Sequence, residues 1–295
     1  MTEPLAPGDA IGFVGLGNMG QPMSSLLADA GYVVQGYDSA RAGTVESLAA
    51  AAAGARAVVL MLPDSPVVRG VVLDEGLLDA LAPGTLLIDM SSCEPAETRK
   101  LAEEVAARGV VLVDAPVSGG VAGARAGTLT IMVGGPEDAV AACRPLLEVM
   151  GGRVTHVGPV AAGHALKSLN NLLSATSLLI TSEAVLAGQR FGLDPEVMVE
   201  TLDQSTGRSW STHYKMPEFV LPRDWSSGFT MRLLIKDLHI ALGLARASGS
   251  PIGLGRACAE LWERAAATIG DGSDHTEIAR WLEEMSNAPP DPPAD

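Results

Sequence analysis

Positive charge is in short supply in this chain. It has 20 lysines and arginines against 35 aspartates and glutamates, a net charge of −15 over 295 residues. Such a balance repels a phosphate backbone unless a concentrated basic patch offsets it, and no such patch is visible, so no nucleic-acid partner is expected. A small anion is not excluded, because a few local donors can hold one. Cysteine is scarce too. Cys93, Cys143 and Cys258 stand far apart with no pair at metal-ligand spacing. An odd, scattered set reads as reduced thiols in a cytoplasmic setting, with no metal expected. The opening MTEPLAPGDA has no basic region before its first apolar run, so no signal peptide is expected. Ionisable side chains vanish altogether from Ser168 to Ser182. That stretch is short for a membrane span and is interrupted by Ser, Asn and Thr, so it reads as a helix buried on most faces by protein, with no membrane partner.

What is present is an ordinary globular balance, 47% apolar and 19% charged, in a length that suits about two domains. In the first half, short β-branched runs recur: AIGFVGL (10–16), YVVQGYD (32–38), AVVLMLP (57–63), TLLIDMS (85–91), GVVLVDAP (109–116) and TLTIMVGG (128–135). Helix-forming stretches separate several of them, notably 20–30 and 95–107. Near-continuous apolar strands alternating with helices predict a mostly parallel sheet covered on both faces.

The first strand runs into Gly15-Leu16-Gly17-Asn18-Met19-Gly20, a full GxGxxG followed by a helix. Chemistry explains the pattern: a tight turn, a backbone that can approach a pyrophosphate, and close packing of helix on strand. The second strand ends in Asp38, placed to accept hydrogen bonds from an adenosine ribose. A carboxylate there suits the free 2′-hydroxyl of NAD and repels the 2′-phosphate of NADP, while nearby Arg41 pulls the other way. NAD is therefore expected, with NADP second. Residues 39–56 have room for one helix, expected at 46–53, but not two, so the third strand of the usual order is expected to be reduced or lost.

From residue 163 the apolar period changes to 3.6. A helix is expected over 164–190, stopped by Gly192 with Pro195 beyond, then others near 195–204, 212–221, 229–248, 251–269 and 274–286. The expected organisation is a dinucleotide-binding domain over 9–162, an all-α substrate and oligomerisation domain over 163–287, and a disordered tail over 288–295. In fold class this is α/β, an N-terminal Rossmann-type doubly wound sheet with a C-terminal all-α domain. Lys167 and Asn171, four residues apart, share a helical face, whereas Asn170 points elsewhere. Ser118-Gly119-Gly120, after a strand end, can offer amides and a hydroxyl to a carboxylate.

With these elements in order, the chain resembles the β-hydroxyacid dehydrogenase family, and within it the 3-hydroxyisobutyrate enzymes. The matching stretches are GFVGLGNMG (12–20), MLP (61–63), DMSS (89–92), DAPVSGG (114–120), GHALKSLNN (163–171), STGRSWST (205–212) and GF…IKDL (228–238). The resemblance implies that Lys167 is the catalytic acid/base, that Asn171 helps hold the substrate, and that Ser118, Gly119 and Gly120 grip its carboxylate. It also brings Leu62, Pro63, Ser92, Phe229 and Lys236, with the glycine turn, to bound NAD. His164 stands where the family has glutamine and reads as structural. The implied reaction oxidises a small β-hydroxy acid to its semialdehyde or runs in reverse. The long helix of the all-α half predicts a homodimer or homotetramer built through it, in the cytoplasmic setting the cysteines suggest. Tartronate or succinic semialdehyde reduction is the alternative within the family, and a non-catalytic dinucleotide sensor or scaffold the alternative outside it.

Overall fold

Alternating apolar strands and helices build an eight-stranded sheet, seen in a computed structural model that describes residues 3–287. The expected tail at 288–295 lies outside the described residues. The elements run β1 (Ala10–Val14), α1 (Gly20–Asp29), β2 (Val33–Tyr37), α2 (Leu48–Ala52), β3 (Ala57–Leu60), α3 (Ser65–Arg69), α4 (Leu77–Ala80) and β4 (Leu86–Asp89). They continue with α5 (Pro95–Ala106), β5 (Val111–Asp114), β6 (Val117–Ser118), α6 (Gly120–Ala126), β7 (Thr130–Gly134), α7 (Glu137–Met150) and β8 (Arg153–Gly158). Strand order is β2-β1-β3-β4-β5-β7-β6, with β8 paired to β7. Pairing is parallel from β2 through β5, β7 is antiparallel to β5 and β6, and β8 is parallel to β7.

Period-2 alternation sorts the strand residues into two cores. Ala57, Val59, Leu86 and Ile88 join Met23 and Leu27 of α1 and Leu146 and Leu147 of α7. Val58, Leu60, Leu87 and Leu112 join Ala51 of α2 and Leu101 and Val105 of α5. Since both faces of β1, β3, β4 and β5 are covered, these strands read as unbroken apolar runs.

The segment after Asp38 behaves as its length dictates. It holds one short helix, α2, and the chain then crosses to the other side of β1 to form β3, so no described strand lies outside β2. The usual doubly wound order 3-2-1-4 thereby lacks its outermost member. Thr44 takes the place of a neighbouring strand there. Its Oγ1 accepts from the Gly36 amide at 2.7 Å and its amide donates to the Gly36 carbonyl at 2.8 Å, which satisfies part of the exposed edge of β2.

The chain divides into two compact units between Ser168 and Leu169. That division falls within α8 (Ala162–Phe191), which ends before Gly192 at φ +103°. Among the described residues, the named elements of the second unit are all helical: α9 (Pro195–Asp203), a π-type segment Ser211–Val220, α10 (Met231–Ser248), α11 (Gly253–Ile269), a 3-10 turn His275–Glu277 and α12 (Ile278–Asn287). Asp194 and Thr230 cap α9 and α10 by accepting first-turn amides, and Gly249 closes α10 in the left-handed conformation. Fully buried Trp262 anchors its core with Leu178, Leu234, Leu238 and Ile278.

The uncharged middle of α8 is covered on most faces, as expected: of residues 168–182, seven are buried and five half-buried. Its open side carries Leu173, 72% exposed, Ile180, 58% exposed, and Leu169. Ala175, Leu178, Leu179 and Val185 occupy the buried side. By length and composition alone the helix could cross a membrane, but it serves as a core helix of the second unit.

Candidate active site

The glycine turn shows why each glycine is there. Gly15 has φ +97°, and a Cβ on it would strike the Met61 carbonyl; a Cβ on Gly20 would strike the Gly15 carbonyl. A Cβ on Gly17 would meet nothing within 4 Å. That glycine is therefore not demanded by the protein's own packing, but leaves the backbone open for a ligand to approach. No side chain caps α1, whose first turn also carries no acid, so its free amides and partial positive charge remain available to a phosphate. These residues fit a bound dinucleotide.

Asp38 Oδ2 accepts from the Leu16 amide at 2.7 Å, and Oδ1 from the amides of Ala40 and Arg41 at 2.8 and 3.0 Å. The acid thus ties the glycine turn to the end of β2. Arg41 lies back over the same turn, its guanidinium donating to the Leu16 carbonyl at 3.4 Å and to Asn18 Oδ1 at 3.3 Å. Leu62 is held by its amide donating to Ser91 Oγ at 3.0 Å, and the Ser91 amide donates to Asp89 Oδ1 at 3.0 Å. Sequence reading named Ser92 here and missed buried Ser91, whose role depends on which of two adjacent serines turns inward.

At the carboxyl end of β5, Asp114 is fully buried. Its Oδ1 accepts from the Ala161 amide at 2.6 Å and Oδ2 from the His164 amide at 2.9 Å. A carboxylate bound to the first amides of a helix satisfies orphan donors and complements the dipole. A Cβ on Gly163 would strike the Met132 carbonyl and lie 2.8 Å from Asp114 Oδ2, which together explain the glycine at that position. Asp114 therefore clamps the start of α8, and Lys167, half-buried, follows one turn later in the same unit. Ser118 ends β6, while Gly119 and Gly120, exposed, take φ +132° and +63° at the start of α6, which no side chain caps. A turn of that kind presents its amides to an anion.

The second unit carries the remaining residues. Asn171 is buried, and its Nδ2 donates to Asp237 Oδ2 at 2.5 Å, while Asn170 donates to Asn171 Oδ1 at 3.2 Å. Lys236 Nζ lies 3.2 Å from Asp237 Oδ1. Phe229 packs edge-on against His275, ring centroids 5.6 Å apart. Unpredicted by the sequence is Lys215, buried and donating to Ser174 Oγ at 2.8 Å.

Asp89, Cys93 and His164, remote in sequence, bring their ligand atoms within 4.8 Å of one another in the first unit. Spacing along the chain could not reveal that, because it is the sheet that joins them.

Comparison with known proteins agrees with this arrangement. Residues 10–158 match the NAD binding domain of 6-phosphogluconate dehydrogenase, and residues 161–282 the NAD-binding family of NADP-dependent 3-hydroxyisobutyrate dehydrogenase. A 3-hydroxyisobutyrate dehydrogenase of Pseudomonas aeruginosa is 42% identical over 82% of this chain and 88% of its own. This chain belongs to the β-hydroxyacid dehydrogenase family. An NAD-dependent L-serine dehydrogenase of the same organism is 41% identical over 85% of this chain and 90% of its own. The solved structure of Mycobacterium tuberculosis 3-hydroxyisobutyrate dehydrogenase with L-serine superposes with a TM-score of 0.86 at 34% identity, covering 93% of this chain and 99% of that one. The member described here is an NAD(P)-dependent hydroxyacid dehydrogenase.

Proposed function

We propose that this enzyme oxidises a β-hydroxy acid of the form HOCH2–CHX–COO⁻, with 3-hydroxyisobutyrate (X = methyl) as the first substrate and NAD as the preferred cofactor. The observation that supports it is the Asp114 clamp, which ties the start of α8, and so Lys167, to the end of β5, four residues before Ser118. The Ser118 hydroxyl and the amides of Gly119 and Gly120 hold the substrate carboxylate. Lys167 Nζ, as the amine, takes the proton of the β-hydroxyl as the β C–H bond breaks. The C–H and O–H bonds are lost and a C=O bond forms; in reverse, the Lys167 ammonium donates to the carbonyl oxygen. When bound, the nicotinamide supplies the hydride acceptor. Asn171, oriented by Asp237, is assigned to the substrate, and Leu62, Pro63, Ser92, Phe229 and Lys236 to the cofactor.

L-Serine is the second reading, drawn from the serine-dehydrogenase relative. It shares the carboxylate and primary hydroxyl and differs only at X, an ammonium in place of a methyl. Reduced-nicotinamide absorbance with both acids, both cofactors and the tartronate and succinic semialdehydes ranks them directly. A higher kcat/KM for L-serine than for 3-hydroxyisobutyrate would overturn the order. Lys167→Ala should lower kcat by about 10²–10⁴-fold, the usual contribution of a positioned acid/base, while cofactor binding measured by fluorescence titration stays near wild type. Substantial turnover by that variant would remove the mechanism.

A further inference from the structure

We propose that Asp89, Cys93 and His164 form a buried binding site for a divalent transition-metal ion of the zinc type. Asp89 is the last residue of β4, Cys93 lies in the loop that leads to α5, and His164 is in the first turn of α8. Their exposures are 1%, 3% and 1%, and their ligand atoms lie within 4.8 Å of one another.

Hydrogen-bond bookkeeping points to a cation among them. Thr98 Oγ1 donates to the Glu94 carbonyl at 3.1 Å, so toward His164 Nδ1, at 2.8 Å, it is left to accept. His164 therefore carries its proton on Nδ1, and in the neutral ring Nε2 presents a lone pair. That buried Nε2 finds no hydrogen-bond partner among the described residues. It faces Asp89 Oδ2 at 3.9 Å, one acceptor opposite another and too far apart to share a proton in a hydrogen bond. A divalent ion between them gives the Nε2 lone pair a partner and meets the carboxylate on its other side.

Charge and geometry agree. A thiolate, a carboxylate and a neutral imidazole around a 2+ ion sum to zero, so the filled site buries no net charge. The 3.9 Å separation is close to the ~3.4 Å edge of a tetrahedron with zinc bonds of about 2.0–2.1 Å. Nitrogen and sulfur donors favour zinc-like ions over magnesium or calcium. Both oxygen and nitrogen ligands already have outer supports: Asp89 Oδ1 accepts from the Ser91 amide at 3.0 Å, and His164 Nδ1 bonds Thr98. Such supports fix tautomer and orientation in metal centres. Because the ligands come from β4, its following loop and the head of α8, the ion would pin the turn that precedes Lys167. The inference does not depend on which hydroxy acid the enzyme accepts.

The test titrates chelator-treated full-length protein with Co²⁺ and then Zn²⁺. Wild type should bind one cobalt per chain with a near-ultraviolet cobalt–thiolate charge-transfer band, displaced by zinc, and zinc should raise its melting temperature. His164→Gln and Cys93→Ser should each weaken cobalt binding by more than about tenfold, since even outer supports contribute that much, and should lose the zinc-dependent rise in melting. Cys143→Ser should retain the band. No band in wild type, or an undiminished band in Cys93→Ser, overturns the site. Should both ligand variants fail to fold, X-ray absorption of zinc-loaded wild type decides: one sulfur and one imidazole neighbour support the proposal, all-oxygen coordination refutes it.

Discussion

Asp38 divides its carboxylate between the Leu16 amide and its own turn, so the atoms that shape the glycine loop are the same ones that the ribose reading assigns to the cofactor. Arg41 lies over Leu16 and Asn18, close enough to answer a 2′-phosphate. On our reading, cofactor choice rests on this negative and positive group side by side. Asp38→Asn keeps an acceptor for Leu16 but removes the charge, and should lower the NAD-to-NADP ratio of kcat/KM by about tenfold, or ~1.4 kcal/mol. Kinetics with both cofactors check this, and an unchanged ratio would retire the ribose reading. Asp114→Asn removes a charged acceptor from two buried amides and should destabilise the first unit by about 2 kcal/mol, read from the urea midpoint. The glycine turn and Asp38 were legible in the sequence because their roles rest on local spacing. Asp114 and Ser91 were not, since their partners are brought to them by the sheet.

At the scale of elements, apolar period revealed six strands and the long helices closely. The expected 164–190 helix is Ala162–Phe191, and its stop at Gly192 follows from a left-handed residue at φ +103°. β8 escaped notice because RVTHVG is half polar and only partly buried, and two-residue β6 is too short for any periodicity. The open stripe on α8 was not foreseen for another reason: absence of charge shows that a face avoids water, not which chain covers it. An apolar stripe that includes Leu173 at 72% and Ile180 at 58% exposure suits a second copy of this chain. The doubly substituted Leu173→Lys, Ile180→Lys protein should scatter light as a monomer under conditions where wild type is a dimer or tetramer. A wild type that is itself monomeric would leave the stripe without this role.

For the whole molecule, acidity is the informative variable, and the 3-10 turn of the second unit is where it acts. Asp274 accepts from Ser227, from the Gly228 amide and from Thr276, and lies 3.6 Å from His275. Burial raises its carboxyl, but hydrogen bonds from His275, Thr276 and Ser227 outweigh that and hold it well below its ordinary value of 3.8. His275, stacked on Trp262, is held below 6.5, first by burial and then by the Lys215 ammonium, against the opposing pull of Asp274. The signs run the same way. Between the ordinary and the folded value each group binds fewer protons folded than unfolded, so stability falls as pH falls. The His275 component is fully present above pH 6.5 and is lost as pH drops from there to its folded value; the Asp274 component is present above 3.8 and is lost at stronger acid. Thermal melts of the second unit should therefore show two acid steps. His275→Gln should flatten the upper one and leave the lower, and Asp274→Asn should abolish the lower one. A His275→Gln protein whose melting still declines just below pH 6.5 as steeply as wild type would show that other groups carry the upper step.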